Sequence, residues 1–203
     1  MELGHGPESD DVRATTPRTW FRRESISLGD VVLQLFVVVL GILLALAIDD
    51  WKKSRETAQN VADAMKSVST ELAANQSEMH AQYEHLRGLT AALTKLPADA
   101  PVKPCNEYEG WNGAGIPVLL DAAYDTAIAT QAFAHMDFHN AQVVAEAYGR
   151  QRMYIVAHGK LLDLLMRGQP MPVGFCRGIV EELGNFAGTV DSAYTRALGS
   201  TGH

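Results

Sequence analysis

Residues 31–48 read VVLQLFVVVLGILLALAI, and Gln34 is the only strongly polar side chain among them. As an α-helix rising about 1.5 Å per residue, the stretch would be roughly 27 Å long, close to the hydrocarbon thickness of a bilayer. Fourteen of its eighteen residues are Leu, Ile, Val or Phe. Each of these favours membrane insertion by about 0.3 to 0.6 kcal/mol, so together they outweigh the glutamine. The stretch predicts a transmembrane helix within residues 27–50.

Two alternatives exist for this apolar stretch. The buried helix of a soluble core is usually shorter or amphipathic, whereas this stretch is apolar on every side. A cleaved secretory signal is the second alternative, because Ala45, Leu46 and Ala47 form an A-x-A sequence. The preceding thirty residues are long and acidic for a signal peptide, which favours an uncleaved span.

Aromatic and basic side chains flank the apolar stretch on both sides, as they do at the headgroup level of membrane proteins. Lys and Arg are balanced, with four on each side within about twenty residues, so the positive-inside rule assigns no orientation. The polar residues 1–26 are predicted to be a disordered or interfacial segment. The predicted interface anchors are Trp20, Arg22, Arg23, Trp51 and Lys52.

Two cysteines, Cys105 and Cys176, both follow the apolar stretch. A solitary pair of cysteines in a domain on the oxidising side of a membrane is expected to form a disulfide. We therefore predict a Cys105–Cys176 disulfide, a cytoplasmic N-terminus and a periplasmic domain over residues 51–203, anchored in a bacterial inner membrane. The alternative is two unrelated buried thiols.

A heptad pattern typical of coiled coils follows the apolar stretch, and no proline occurs between Pro17 and Pro97. It predicts a helix over about residues 51–96 that continues from the membrane helix. Its apolar seam could pack against later helices of the same chain or against another subunit. The first seam is Trp51, Ala58, Met65, Leu72, Met79, Leu86 and Leu93, and the second is Val61, Val68, Asn75, Gln82, Leu89 and Leu96.

Residues 97–117 contain four prolines among polar residues and predict a long loop. Helical spacing of apolar residues predicts three more helices at about residues 118–135, 138–167 and 175–198. Antiparallel packing of four helices would bring both cysteines to the same end. The predicted fold is therefore all-α: a single N-terminal transmembrane helix continuing into an antiparallel, disulfide-braced four-helix bundle.

Candidate functional residues after the membrane segment are few. His135 and His139 form an H-x-D-x-H spacing that is a weak candidate for a metal site, and no metal, cofactor or catalytic residue is predicted. Tyr108 and Trp111 beside Cys105 could form a contact surface for a partner, although the loop could instead pack over the end of the bundle. Residues 49–203 carry 18 acidic and 13 basic side chains, which argues against a nucleic-acid partner.

One face of the predicted membrane helix has the composition of a helix–helix contact. Gly41 and Ala45 are small residues four positions apart, which lets a second helix approach closely. Gln34 could hydrogen-bond across such a contact, and Val38 lies on the same face. The predicted partners are therefore the lipid bilayer and either other membrane proteins or a second copy. The alternative is that these small residues have no role in association.

The segment GILLALAIDDWKKSRE, residues 41–56, resembles the signature of an uncharacterised family of bacterial single-pass membrane proteins. In that family a G-I-L-x-A-L-x-I-N-N-W-like membrane helix leads into a charged helical stalk. The segment AAYDTAIATQAFAHMDFHNAQVVAEAY, residues 122–148, is similar to its second recurring block. Asp49 and Asp50 stand where the family usually has two asparagines. The resemblance implies a membrane location and a helical fold, and it implies no activity.

These observations predict a non-enzymatic, membrane-anchored accessory or scaffold subunit that presents a helical bundle for protein–protein association. A single-pass sensor or ligand-binding module is the first alternative, since such modules are also helical bundles outside a single span. A metal-dependent enzyme is the second alternative, and it would need a metal at His135 and His139.

Overall fold

The computed structural model describes residues 27–201, and all regular secondary structure in that range is helical. The all-α class is thus confirmed. The described residues form four α-helices, α1 (Leu28–Thr94), α2 (Ala122–Ala129), α3 (Phe138–Met166) and α4 (Val173–Thr201), with short 3₁₀ turns at Cys105–Glu107 and Ala132–His135. Residues 1–26, with the predicted anchors Trp20, Arg22 and Arg23, lie outside the described residues.

The chain divides into two compact units, Met1–Asp49 and Asp50–His203. In the first unit every described residue is helical or directly precedes α1, and every one is exposed to solvent. The second unit holds the rest of α1 and the other three helices. The helix predicted over residues 51–96 therefore falls within α1, which ends at Thr94.

The core of the second unit is built on the heptad seams of α1. Positions of both seams are buried from Val68 to Leu93, so in this part they pack within the chain. Helix α4 supplies the opposing apolar face, and its Gly184 lies close to the Cβ of Leu86. Before Val68 no described residue of α1 is buried, and Trp51 at the start of the first seam is exposed. The buried positions of α4 include Ile179, Val180, Leu183, Ala187, Val190, Ala193 and Tyr194.

The second predicted helix is the one that the structure corrects. A single helix over residues 118–135 is wrong, because α2 covers only Ala122–Ala129 and residues 118–121 have no regular secondary structure. The peptide groups of Leu120 bind side chains of α1 and α3, so the chain cannot enter a helix before Ala122. Gln131 then takes a left-handed backbone conformation with φ of 59°, which separates α2 from the following 3₁₀ turn.

The predicted disulfide is confirmed. Cys105 lies at the start of a 3₁₀ turn in the long loop, and Cys176 lies in the first turn of α4. Their Cα atoms are 5.6 Å apart, within the usual range for a disulfide, and both residues are buried. The backbone N–H of Met171, before α4, also donates to the carbonyl of Lys103 at 3.0 Å. The loop is therefore fixed to the start of α4.

Candidate functional site

The predicted association face lies on the part of α1 that belongs to the first unit. Gln34, Val38, Gly41 and Ala45 are all exposed, and a Cβ built on Gly41 meets no atom of the described chain within 4 Å. Helix α1 contains a segment long and apolar enough to cross a membrane, and none of that segment is buried. Thus no described part of the chain covers this apolar surface.

The distal loop does not present both aromatic residues as predicted. Tyr108 is only 3% exposed, so its prediction as a partner contact is wrong. Its hydroxyl donates to the carbonyls of Met171 at 2.7 Å and Pro101 at 3.2 Å, which satisfies a polar group that burial would otherwise penalise. Trp111 is half-buried and packs against the core. The structure thus follows the alternative in which the loop packs over the bundle.

The weak candidate for a metal site, His135 and His139, lies where α3 begins. The side chain of Asp137 accepts hydrogen bonds from the backbone N–H groups of His139 at 3.0 Å and Asn140 at 3.2 Å, so it is the N-cap of α3. His135 ends the preceding 3₁₀ turn. Among residues 27–201 no group of three His, Cys, Asp or Glu side chains is placed to hold a metal ion.

One histidine–carboxylate pair links α1 and α4. The Nδ1 atom of His80 lies 3.1 Å from an oxygen of Asp191, which resembles the base and orienting group of a hydrolase. The neighbouring hydroxyl of Ser192 instead donates to the carbonyl of Gly188 at 2.8 Å, one turn back in its own helix. Within the described residues this pair therefore has the arrangement of an interhelical contact, without a nucleophile directed at it.

In the second unit, three hydrogen bonds meet at Glu71, a residue that the sequence patterns did not single out. Its carboxylate accepts hydrogen bonds from the backbone N–H groups of Ala123 at 2.9 Å and Tyr124 at 3.3 Å. These N–H groups belong to the first turn of α2, where a negative charge is favourable. Asp121 is the N-cap residue by position but makes no side-chain capping bond. Glu71 thus caps α2 from another helix.

The hydroxyl of Tyr148 completes the Glu71 site by donating to the carboxylate at 2.6 Å. Burial, and next the hydrogen bond to Glu71, raise the pKa of Tyr148 well above its ordinary value, so the phenol keeps its proton. The Tyr148 ring also stacks on Tyr124, with ring centroids 4.3 Å apart. One carboxylate therefore joins α1, α2 and α3.

A second buried junction surrounds the peptide of Leu120. Asn75 both donates to the Leu120 carbonyl at 2.6 Å and accepts from its N–H at 2.8 Å. Gln151 of α3 donates to the same carbonyl at 3.1 Å and accepts from the hydroxyl of Tyr194 at 2.6 Å. Burial raises the pKa of Tyr194, which therefore stays a donor. The junction connects α1, α3 and α4 to one extended peptide.

Residues 113–120, which we call the strap, form a segment without regular secondary structure that these side chains hold. At the strap's other end, Gln82 donates to the carbonyl of Ala114 at 2.7 Å, and the Nε2 atom of His85 lies 2.8 Å from the carbonyl of Gly113. Asn75 and Gln82, which the sequence placed on the second seam, are thus polar because they bind the backbone of the strap. These polar side chains therefore hold the strap in position.

Replacing Gly115 with alanine is expected to lower the free energy of unfolding by about 2 to 3 kcal/mol. Gly115 has φ of +65°, and an added Cβ would lie 2.5 Å from the Oε1 atom of Gln82, so the substitution combines backbone strain with a steric clash. Gly159→Ala is the matched control, since it is helical and open. Because alanine favours the helix more than glycine does, Gly159→Ala should raise the free energy of unfolding by up to about 1 kcal/mol. Chemical denaturation in detergent micelles would measure both, and equal effects would contradict the prediction.

Comparisons with known proteins provide no relative for this arrangement. No family model matches the chain, and neither a curated protein nor a solved structure is significantly similar to it.

Proposed function

We propose that the protein is a non-enzymatic accessory or scaffold subunit, anchored by α1 in a bacterial inner membrane, with its helical bundle in the periplasm. The observation that carries this proposal is the apolar segment of α1, which is fully exposed over a length sufficient to cross a bilayer. Side chains of this kind are stable outside a protein core only in lipid or against a partner.

The disulfide supports the periplasmic side for the bundle. Disulfides persist in oxidising compartments and are rare in the cytoplasm, where thiols are kept reduced. The resemblance of residues 41–56 to bacterial single-pass membrane proteins supports the membrane location and the helical fold. Trp51 and Lys52, exposed just after the apolar segment, fit the headgroup region of the outer leaflet of that membrane.

Reporter fusions would test the anchor and its orientation. Alkaline phosphatase, which folds only when its disulfides form, should be active when fused after residue 201, and green fluorescent protein at the same point should stay dark. The protein should remain in the membrane pellet after alkaline carbonate washing. An active cytoplasmic reporter at the C-terminus, or release of the intact chain into the soluble fraction, would contradict the proposal.

The scaffold role requires that the membrane helix associate with another helix. Gly41 and Ala45 permit close approach, and Gln34 would supply an interhelical hydrogen bond of about 0.6 to 2 kcal/mol. We favour a contact through this face because lipid alone cannot satisfy the amide of Gln34. Whether the second helix belongs to another copy or to a different membrane protein decides the type of scaffold.

Replacing Ala45 with isoleucine is expected to weaken association about tenfold, because the larger side chain prevents close approach of the helices. Ala47→Ile is the matched control: two residues turn a helix by about 200°, so Ala47 faces the other side. Sedimentation in detergent would report self-association, and cross-linking in native membranes would report a different partner. The proposed contact is wrong if both substitutions have the same effect, or if neither changes any complex.

A further inference from the structure

The strap is fixed at its ends and loose in its middle. Gly113, Ala114 and Leu120 are bound by side chains of α1 and α3 as described above. The backbone groups of residues 116–118 make no hydrogen bond to other described residues. Ile116 is also 73% exposed, whereas Ala114 is 3% exposed. Release of the Gly113 end would therefore free residues 113–118, while Leu119 still packs against the core.

A buried histidine lies beneath that end of the strap. His158 of α3 is 5% exposed, and its Nε2 atom has no hydrogen-bond partner among residues 27–201. Hydrogen bonding to the backbone of Gly115 and Ala114 favours the protonated imidazole, but burial outweighs it, so the net effect lowers the pKa of His158. An unpaired buried polar atom at a contact between two segments is an unfavourable arrangement that proteins seldom retain without a reason.

The groups around His158 offer no negative charge to a protonated imidazole. From α1, Gln82 and His85 contact the carbonyls of Ala114 and Gly113, and on α3 the ring centroid of Tyr154 lies 5.4 Å from that of His158. Helix α4 presents Phe186 against Tyr154. Burial raises the pKa of Tyr154 to about 12, so it is neutral in any physiological medium. No carboxylate among the described residues acts on His158.

We propose that the strap is an acid-released latch, in which protonation of His158 detaches residues 113–115 from α1 and α3 while the helices stay folded. A buried imidazolium needs water or a counter-charge, and detachment of the strap supplies water. The latch is a property of the second unit alone. Exposure to the pH of the medium would follow from the periplasmic location in the proposed function, on which the latch itself does not depend.

The direction of the pH effect follows from burial. Burial lowers the pKa of His158 below its ordinary value of 6.5, and nearby peptide groups oppose this more weakly. The closed strap thus favours neutral imidazole, so its stability is complete above about pH 6.5 and decreases as the pH falls below that value towards the pKa of the closed state. Release is expected at acid pH and not at alkaline pH.

Cysteine labelling of the full-length protein in micelles would test the latch. Both native cysteines are in the disulfide and do not react, so Ala114→Cys places a single buried reporter thiol on the strap. Ile116→Cys, exposed on the same strap, corrects for the pH dependence of the thiol reaction. The labelling rate of the first variant relative to the second is expected to rise about tenfold between about pH 7.5 and about pH 5.

Three outcomes decide the proposal. The rise in the labelling-rate ratio should disappear when His158→Gln is added. It should remain when His139→Gln is added instead, since His139 is an exposed histidine of α3. A ratio that does not change with pH would overturn the latch, as would a rise that persists without His158. A buried reporter in α4, Ala187→Cys, should stay protected at about pH 5, because labelling there would mean global unfolding. If His158→Gln does not fold, His158→Leu takes its place.

Discussion

Replacing both Cys105 and Cys176 with serine is expected to lower the free energy of unfolding by about 4 kcal/mol. The two residues are 71 positions apart, so the disulfide removes much of the conformational freedom of the unfolded chain between them. Small domains have a total stability of about 5 to 15 kcal/mol, so the loss is a large fraction. The long loop should become mobile first, because its remaining ties to the start of α4 are a few hydrogen bonds.

Urea unfolding in micelles, followed by far-UV circular dichroism, would measure this loss. Reduction of the native protein should reproduce the effect, and reducing agent should not change the double serine variant further. A loss below about 1 kcal/mol would show that the disulfide does not brace the bundle. The membrane pellet assay should be unaffected, because the anchor lies in the other unit.

Replacing Glu71 with alanine is expected to lower the free energy of unfolding by about 3 to 5 kcal/mol. The substitution leaves the N–H groups of Ala123 and Tyr124 and the hydroxyl of Tyr148 without their common acceptor. Buried donors that lose a charged partner carry the full penalty of leaving water. Helix α2 is only eight residues long and cannot form alone, so it should unfold locally before the other helices do.

Glu78→Ala is the control for Glu71→Ala, since Glu78 lies on the same helix and is exposed. Its effect should stay within about 0.5 kcal/mol, as for most surface substitutions. Glu71→Gln retains one acceptor oxygen, so it should lower the free energy of unfolding less than Glu71→Ala does. Tyr148→Phe should lower the free energy of unfolding by about 1 to 2 kcal/mol. Urea unfolding and hydrogen exchange of α2 would measure these effects. Equal values for Glu71→Ala and Glu78→Ala would contradict the assigned role.

The pattern of apolar residues was sufficient to predict most of the helices. The first and second seams of α1 are buried from Val68 onward, as a heptad pattern indicates, and α3 and α4 begin and end within three residues of their predicted bounds. The pairing of Cys105 with Cys176 also followed, because antiparallel helices bring alternate connections to the same end. These features depend on local periodicity and on chain direction, which a single sequence contains.

The candidate site was less accessible from the sequence. Glu71 looks like any charged residue of a helix, and only the folded chain brings it to the start of α2. Tyr108 has the composition of a contact residue, yet its hydroxyl finds acceptors inside the loop and its ring is buried. The one available signal was the presence of Asn75 and Gln82 in a seam that is otherwise mainly apolar, since buried amides need a backbone or side-chain partner.

The sequence by itself determined that the chain has an apolar segment long enough to cross a membrane, a helical remainder and one possible disulfide. Each of these is a matter of composition, spacing or count along the chain. The tertiary structure alone decided where α2 begins, which carboxylate caps it, and that the backbone of Ala114 and Gly115 lies beside a buried histidine. Those features are hydrogen bonds and contacts between segments distant in sequence, and no local periodicity specifies their partners.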